Sequence, residues 1–231
     1  MSRIMEESKK TLKHFTNVSA LKKILKTGLK FSDGKNWLDK DDRFAFEFYY
    51  KKTKKHVQAI CFCDSDDTAH HWKLPLNMNV DQVQENDEDI MCYIGFSSDF
   101  KECLKLYFQL SGLVEYKKYA ELNSYIQNKK IECILKLKKY HYSVENEFRV
   151  LYISDKEEEK FIPLDILRKY ITKIIIARNV SKEKYEEIKS FLEKENLGDK
   201  INKSSLRQSQ RWQKGIEKYF ECNNNKNIYN D

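Results

Sequence analysis

A charged segment, Glu145-Asn-Glu-Phe-Arg149, stands directly before an apolar run in the second half of the chain. If the segment is extended, Glu145, Glu147 and Arg149 project from one face of a strand, because side chains alternate along a strand. Two carboxylates and a guanidinium on one face perturb each other's titration, and active sites use such groups. Structural ion-pair networks have the same composition, so a solvated strand face with a Glu–Arg pair is the alternative.

Four other short motifs precede this charged segment along the chain. They are His14-Phe-Thr16, Ile60-Cys-Phe-Cys63 followed by Trp72, Met91-Cys-Tyr93-Ile-Gly-Phe96 and Val114-Glu-Tyr116. In this order and spacing, together with the Glu-x-Glu-x-Arg segment, they resemble the DUF2971 family of bacteria over about residues 12–206. That family is defined by sequence and named for lack of a known function, so this resemblance implies no particular activity.

The opening motif and the late glutamates also resemble ADP-ribosyltransferase-type folds. In those folds a His-x-Thr strand, a short helix ending in Gly and a late strand Glu jointly hold NAD. The resemblance implies that His14 binds the ribose next to nicotinamide, and that Glu147 or Glu145 polarises its 2′-hydroxyl. Of the two, Glu147 is expected to serve the donor and Glu145 to orient the acceptor. Cleavage of the nicotinamide bond builds positive charge on the sugar, which a nearby carboxylate stabilises.

The same resemblance assigns further residues to NAD binding. The additional NAD-binding residues are Thr16, Trp72, Tyr93, Tyr142 and Arg149. Aromatic rings stack on flat heterocycles, so Trp72, Tyr93 and Tyr142 are candidates for contact with nicotinamide. A macromolecule, nucleic acid or protein, is the expected acceptor of ADP-ribose, and a toxin or anti-phage defence role is the expected setting.

Two other classes of function remain open. One is a non-catalytic nucleic-acid-binding or regulatory module, consistent with a net charge of +7 and with lysine runs such as residues 51–55 and 136–139. The other is a different NAD-cleaving enzyme, or a nuclease, on the same fold. Lysine runs are most often solvated faces that maintain solubility.

Composition limits the remaining possibilities. No run of 18 or more apolar residues occurs and the first ten residues have no apolar core, so we expect a cytoplasmic protein without a membrane span. The six cysteines form no Cys-x-x-Cys pair and are expected to be buried thiols. Adjacent His70 and His71 diverge on a strand, so no metal is expected despite nearby aspartates.

The order of predicted strands and helices indicates an α+β domain over 1–206, with a mixed, mostly antiparallel sheet flanked by helices. The resemblance to ADP-ribosyltransferases implies that the sheet is of their type. Residues 207–231 are predicted to be a polar C-terminal helix and a disordered tail. Segment 207–221 has the spacing of an amphipathic helix for a partner or inhibitor protein, and 222–231 are expected to be disordered. Residues 119–138 are predicted to form one or two helices, and 147–153 with 160–163 a hairpin. Residues 44–50 are ambiguous between helix and strand.

Overall fold

A computed structural model describes residues 11–64, 72, 83–108 and 110–204, and most of their strands join one large sheet. The strands are β1 (Lys13–Asn17), β2 (Leu29–Lys30), β3 (Ser32–Asp33), β4 (His56–Cys63), β5 (Met91–Phe96), β6 (Gly112–Leu113), β7 (Glu115–Lys117), β8 (Leu137–Lys139), β9 (Glu147–Ser154), β10 (Phe161–Ile162), β11 (Ile171–Ile176) and β12 (Ile201–Lys203). The helices are α1 (Val18–Thr27), α2 (Lys40–Thr53), α3 (Ser98–Tyr107), α4 (Leu122–Ile126), α5 (Leu164–Tyr170) and α6 (Lys182–Lys194).

The main sheet has the order β12-β11-β5-β1-β4-β9-β6, with β3 also paired to β4, which gives eight strands within the described residues. Adjacent strands of this sheet are antiparallel, except for β11 and β12, which are parallel. Two small sheets, β2–β10 and β7–β8, lie beside it. The architecture confirms an α+β fold with a mixed, mostly antiparallel sheet flanked by helices.

Helix α1 follows the central strand β1 directly. The Asn17 side chain accepts a hydrogen bond from the Ala20 amide at 2.8 Å, which satisfies a free donor at the helix start. Gly28 ends the helix with a φ of 92°, a conformation that glycine adopts without strain. The helix buries Leu21 and Leu25 against the sheet.

Helix α2 resolves the ambiguous aromatic segment in favour of a helix. Its first turn is capped by Asp39, whose side chain accepts from the amides of Asp41 and Asp42. The helix packs Phe46 and Tyr49 against the sheet. The same packing holds Asp42, in the first turn, out of solvent beside the sheet.

The two faces of the main sheet have different chemistry. Directly paired residues of antiparallel strands point to the same face, and Lys13 pairs with Cys63, which pairs with Glu147. We call this side the Glu147 face. The opposite side, the His14 face, contains Phe62 and Phe148 and contacts the larger hydrophobic core. The two neighbouring residues of one strand, Lys13 and His14, therefore point in opposite directions.

Two predictions about connections are wrong. Strand β10 pairs with β2 rather than with β9, so 147–153 and 160–163 form no hairpin. Residues 119–138 form four short pieces instead of long helices: α4, the 3₁₀ turns at 119–121 and 131–136, and the start of strand β8. The apolar residues of 119–138 have helical spacing and the segment contains no glycine. Strand pairing of β7 with β8 takes the end of the segment instead of a helix.

Some predicted features lie outside the described residues. These are the tail helix at 207–221, the rest of the tail to residue 231, and the pair His70 and His71. None of the helices in the described ranges has the length and apolarity needed to cross a bilayer.

Candidate functional site

The charged segment from Glu145 to Arg149 begins at a turn, not within a strand. Glu145 ends a 3₁₀ turn over Tyr140–Glu145, and Asn146 follows in the left-handed region with a φ of 41°. Strand β9 starts only at Glu147, so the predicted alternation through Glu145 is wrong. Asparagine tolerates the left-handed conformation better than most residues, which makes it the local signal for this break.

Arg149 is fully buried on β9, and hydrogen bonds surround its guanidinium. Nε donates to Glu147 at 2.6 Å and Nη2 donates to the other oxygen of that carboxylate at 3.0 Å. Nη1 and Nη2 donate to the two oxygens of Asp42 at 3.0 and 3.2 Å, and Nη1 also donates to the Leu135 carbonyl at 2.7 Å. The guanidinium lies 5.1 Å from the ring centre of Trp37, within the range of a cation–π contact.

Lys138, on β8, brings a second cation to the same carboxylates. Its ammonium lies 2.7 Å from Glu145, 3.2 Å from Glu147 and 3.3 Å from Asp42. Residues from α2, β8, β9 and the turn before β9 thus meet at one place. We call this group the ionic cluster; it comprises Asp42, Lys138, Glu145, Glu147 and Arg149.

The cations of the cluster keep Glu147 ionised. Burial by itself raises the pKa of a carboxyl group, but the charges of Arg149 and Lys138 outweigh burial and lower the pKa of Glu147 to about 2. Burial lowers the pKa of Lys138, and the charges of Glu147 and Asp42 more than compensate and raise it. With three carboxylates and two cations, the ionic cluster has one negative charge in excess.

Access to the two glutamates differs. The Glu147 side chain is 7% exposed and both its oxygens accept from Arg149, whereas the Glu145 side chain is 14% exposed. Tyr142, which belongs to the same turn as Glu145, has its ring centre 5.3 Å from the Lys138 ammonium. Glu145 and Tyr142 therefore lie at the outer edge of the cluster, with Glu147 beneath them.

Two further groups support Glu147. The Tyr116 hydroxyl accepts a hydrogen bond from the Glu147 amide at 2.9 Å, and burial raises the pKa of this tyrosine to about 12. Cys61 lies opposite Arg149 in the β4–β9 pairing. Burial, followed by the charge of Glu147, raises the pKa of the Cys61 thiol well above its usual value. The thiol is protonated at neutral pH and is no nucleophile there.

Trp72 and Tyr93, two of the aromatic residues assigned to NAD, lie together around Phe15. The ring centres are 5.6 Å apart for Phe15 and Trp72, 5.1 Å for Phe15 and Tyr93, and 5.7 Å for Trp72 and Tyr93. Phe15 pairs with Tyr93 across β1 and β5, and both belong to the Glu147 face because Lys13 does. This aromatic trio shares its sheet face with the ionic cluster.

His14 and Thr16 lie on the other side of the sheet. The His14 ring contacts Phe62 at a centre-to-centre distance of 5.7 Å, and its Nδ1 donates to the Cys61 carbonyl at 3.0 Å. Burial lowers the pKa of His14, so the ring is neutral at pH 7. Thr16 pairs with the core residue Cys92 and points the same way as His14. The expected pairing of His14 and Glu147 at one ribose is therefore not formed by this geometry.

Sequence reasoning missed Asp42 and Lys138. Both belong to segments with many like-charged neighbours, Asp41-Asp42 and Lys138-Lys139, so composition does not single out either residue. A helix capped at Asp39 with aromatic residues at Phe46 and Tyr49 predicts the buried face of α2, and that face includes Asp42. No comparable signal identifies Lys138.

Within the described ranges, no group of three or more His, Cys, Asp or Glu side chains is arranged to hold a metal ion. Comparison with known proteins found no family model, curated protein or solved structure that matches the chain.

Proposed function

We propose that the protein cleaves NAD and transfers ADP-ribose to a macromolecular acceptor, with the ionic cluster as its catalytic centre. One observation supports this most directly: the cluster combines an excess negative charge with a carboxylate at its outer edge, that of Glu145, whose side chain is 14% exposed. Cleavage of the nicotinamide–ribose bond produces positive charge on the sugar, and a fixed anionic site lowers the barrier to forming it.

The geometry favours a division of labour between the glutamates that is the reverse of the one implied by the resemblance. Glu145, the more exposed, contacts the ribose, while Glu147 is a positioning residue that orients Lys138 and Arg149. The bond from C1′ to the nicotinamide nitrogen breaks, and its electron pair leaves with neutral nicotinamide. An acceptor hydroxyl or water then bonds to C1′ and gives up its proton to Glu145.

The aromatic trio of Phe15, Trp72 and Tyr93 is the group that suits the nicotinamide or adenine ring. It shares the Glu147 face with the cluster; Tyr93 is buried, so the partly exposed Phe15 and Trp72 are the members that present aromatic surface to a planar heterocycle. His14 and Thr16 have no part in this arrangement, because their side chains point to the opposite face.

The test is incubation of the purified protein with NAD labelled in the adenylate part, with and without a cell lysate. Nicotinamide release is followed by chromatography, and label is measured separately in protein, nucleic acid and free nucleotide. We expect nicotinamide release by the wild type and its loss in Glu145→Gln. Glu102→Gln, an exposed glutamate on α3, is the matched control and should retain activity. A wild type that never consumes NAD, alone or with lysate, would show that the proposal is wrong and favour a non-catalytic module.

A further inference from the structure

Residues 115–145 form a distinct part of the fold beside the main sheet. The segment contains seven lysines and five tyrosines against four glutamates and no aspartate. It comprises the parallel pair β7–β8, the helix α4 and the 3₁₀ turns at 131–136 and 140–145. Lys138 and Glu145 connect it to the ionic cluster, so whatever binds this segment lies next to the proposed catalytic centre.

Lysine ammonium groups lie close to the tyrosine rings of this segment. Lys118 is 5.3 Å from the ring centre of Tyr140, and Lys129 is 4.0 Å from that of Tyr125. Lys117 approaches Tyr125 from 5.0 Å. These cation–π contacts keep positive charge beside flat aromatic surface, which is the combination that a chain of phosphates and bases requires.

Part of this aromatic and basic surface faces solvent. Tyr119 is 93% exposed and Tyr140 is 51% exposed. The Lys118 ammonium has no carboxylate partner among the residues that the structure describes. A single exposed tyrosine is ordinary on a protein surface. Two exposed rings next to an unneutralised lysine form a surface suited to bases that stack and phosphates that bind ammonium groups.

We propose that this tyrosine–lysine surface, made of Lys118, Tyr119 and Tyr140, binds single-stranded nucleic acid. The binding is argued from this surface alone. Its role, which is to deliver the acceptor of ADP-ribose, rests on the proposed function. Tyr140 and Glu145 are the two ends of one 3₁₀ turn, which separates them by about 10 Å at ~2 Å per residue. A strand stacked on Tyr140 therefore brings a neighbouring nucleotide to the edge of the ionic cluster. Duplex DNA hides its base faces and has no such means of stacking.

The test is fluorescence anisotropy of a labelled oligothymidylate of about 20 nucleotides, longer than a typical single-domain site of ~4–16 nucleotides. NAD is absent, so binding is measured separately from catalysis. The double variant Tyr119→Ala with Tyr140→Ala should weaken binding roughly tenfold or more, since each stacked ring contributes substantially. Lys118→Gln should reduce the salt dependence of log Kd by roughly 0.7, the value for one phosphate contact on a single strand.

The matched control is Tyr107→Ala with Lys189→Gln, which removes an exposed tyrosine and an exposed lysine elsewhere and should bind as the wild type does. An oligouridylate of the same length separates RNA from DNA preference. The proposal is overturned if the wild type does not bind at low salt, if the tyrosine variant binds normally, or if duplex binds as tightly as single strand. Nicotinamide release without nucleic acid should be unchanged in the tyrosine variant. If the protein binds nucleic acid but never cleaves NAD, the proposal for this surface stands and the catalytic proposal is wrong.

Discussion

Arg149 and Asp42, 107 positions apart in the chain, meet through two hydrogen bonds, Nη1 to Oδ1 at 3.0 Å and Nη2 to Oδ2 at 3.2 Å. One residue belongs to the strand β9 and the other to the first turn of α2. Their contact fixes the helix on the Glu147 face, where Phe46 packs against the same region of the sheet. Bidentate pairing of this kind has a defined geometry that a lysine cannot reproduce.

Substitution of Asp42 should destabilise the fold. Asp42→Asn removes one carboxylate from a buried pair and leaves the Arg149 charge less compensated, at a cost of about 3–5 kcal/mol in the free energy of unfolding. Asp41→Asn is the matched control, because the Asp41 carboxylate is half exposed and pairs with the exposed Lys139. Urea unfolding of both variants measures the difference. Equal, small changes in the two would contradict a structural role for the buried pair.

The acid sensitivity of the fold should depend on Glu147. Its pKa of about 2 in the folded protein is below the ordinary unfolded value of about 4.3, so its contribution is complete above the unfolded pKa and is lost as pH falls toward 2. The contribution is of the order of 3 kcal/mol.

Urea unfolding at several pH values between 7 and about 3 measures this contribution. The wild type should lose stability steadily below about pH 4.3, and Glu147→Gln should show a weaker dependence over the same interval. Parallel pH profiles for the two proteins would mean that Glu147 has an ordinary pKa.

The path of the chain was more predictable than the grouping of its charges. Helix α1 follows from apolar residues at helical spacing between Asn17 and Gly28, and strands β4, β5 and β9 follow from β-branched and aromatic runs. Each of these signals is local. The partner of a strand is a long-range choice, so the pairing of β10 with β2 has no counterpart in the residues next to it.

The candidate site was predicted in part for the same reason. Glu147 and Arg149 are neighbours on one strand, and their pairing follows from alternation. Asp42 and Lys138 reach them only through tertiary packing of α2 and β8. The role expected of His14 depended on the face to which its side chain points, and the register of β1 with β4 decides that face.

His14 should behave as a buried structural histidine. Burial lowers its pKa below the usual 6.5, so its neutral form stabilises the fold at neutral pH and this contribution is lost as pH falls below that value. Histidine NMR signals followed against pH should show the His14 midpoint below 6.5. His14→Gln should reduce stability through loss of the bond to the Cys61 carbonyl, and should leave nicotinamide release unchanged. Loss of NAD cleavage in a normally stable His14→Gln protein would restore the ribose-binding role implied by the resemblance.

The two glutamates of the ionic cluster should fail in different ways. Glu145 lies at the outer edge, so Glu145→Gln should lower kcat for nicotinamide release by roughly 100-fold or more, as loss of one electrostatic group does in other active sites, with a small change in stability. Glu147 is buried against Arg149, so Glu147→Gln should lower the free energy of unfolding first and reduce activity through disorder of Lys138 and Arg149. Glu147→Asp keeps the charge and should retain part of the activity that Glu147→Gln loses.

The resemblance to ADP-ribosyltransferases implies the opposite result: Glu147→Gln abolishes cleavage and transfer in a stable protein, and Glu145→Gln affects mainly transfer. Chromatography of nicotinamide, combined with urea unfolding of the same preparations, decides between the two assignments.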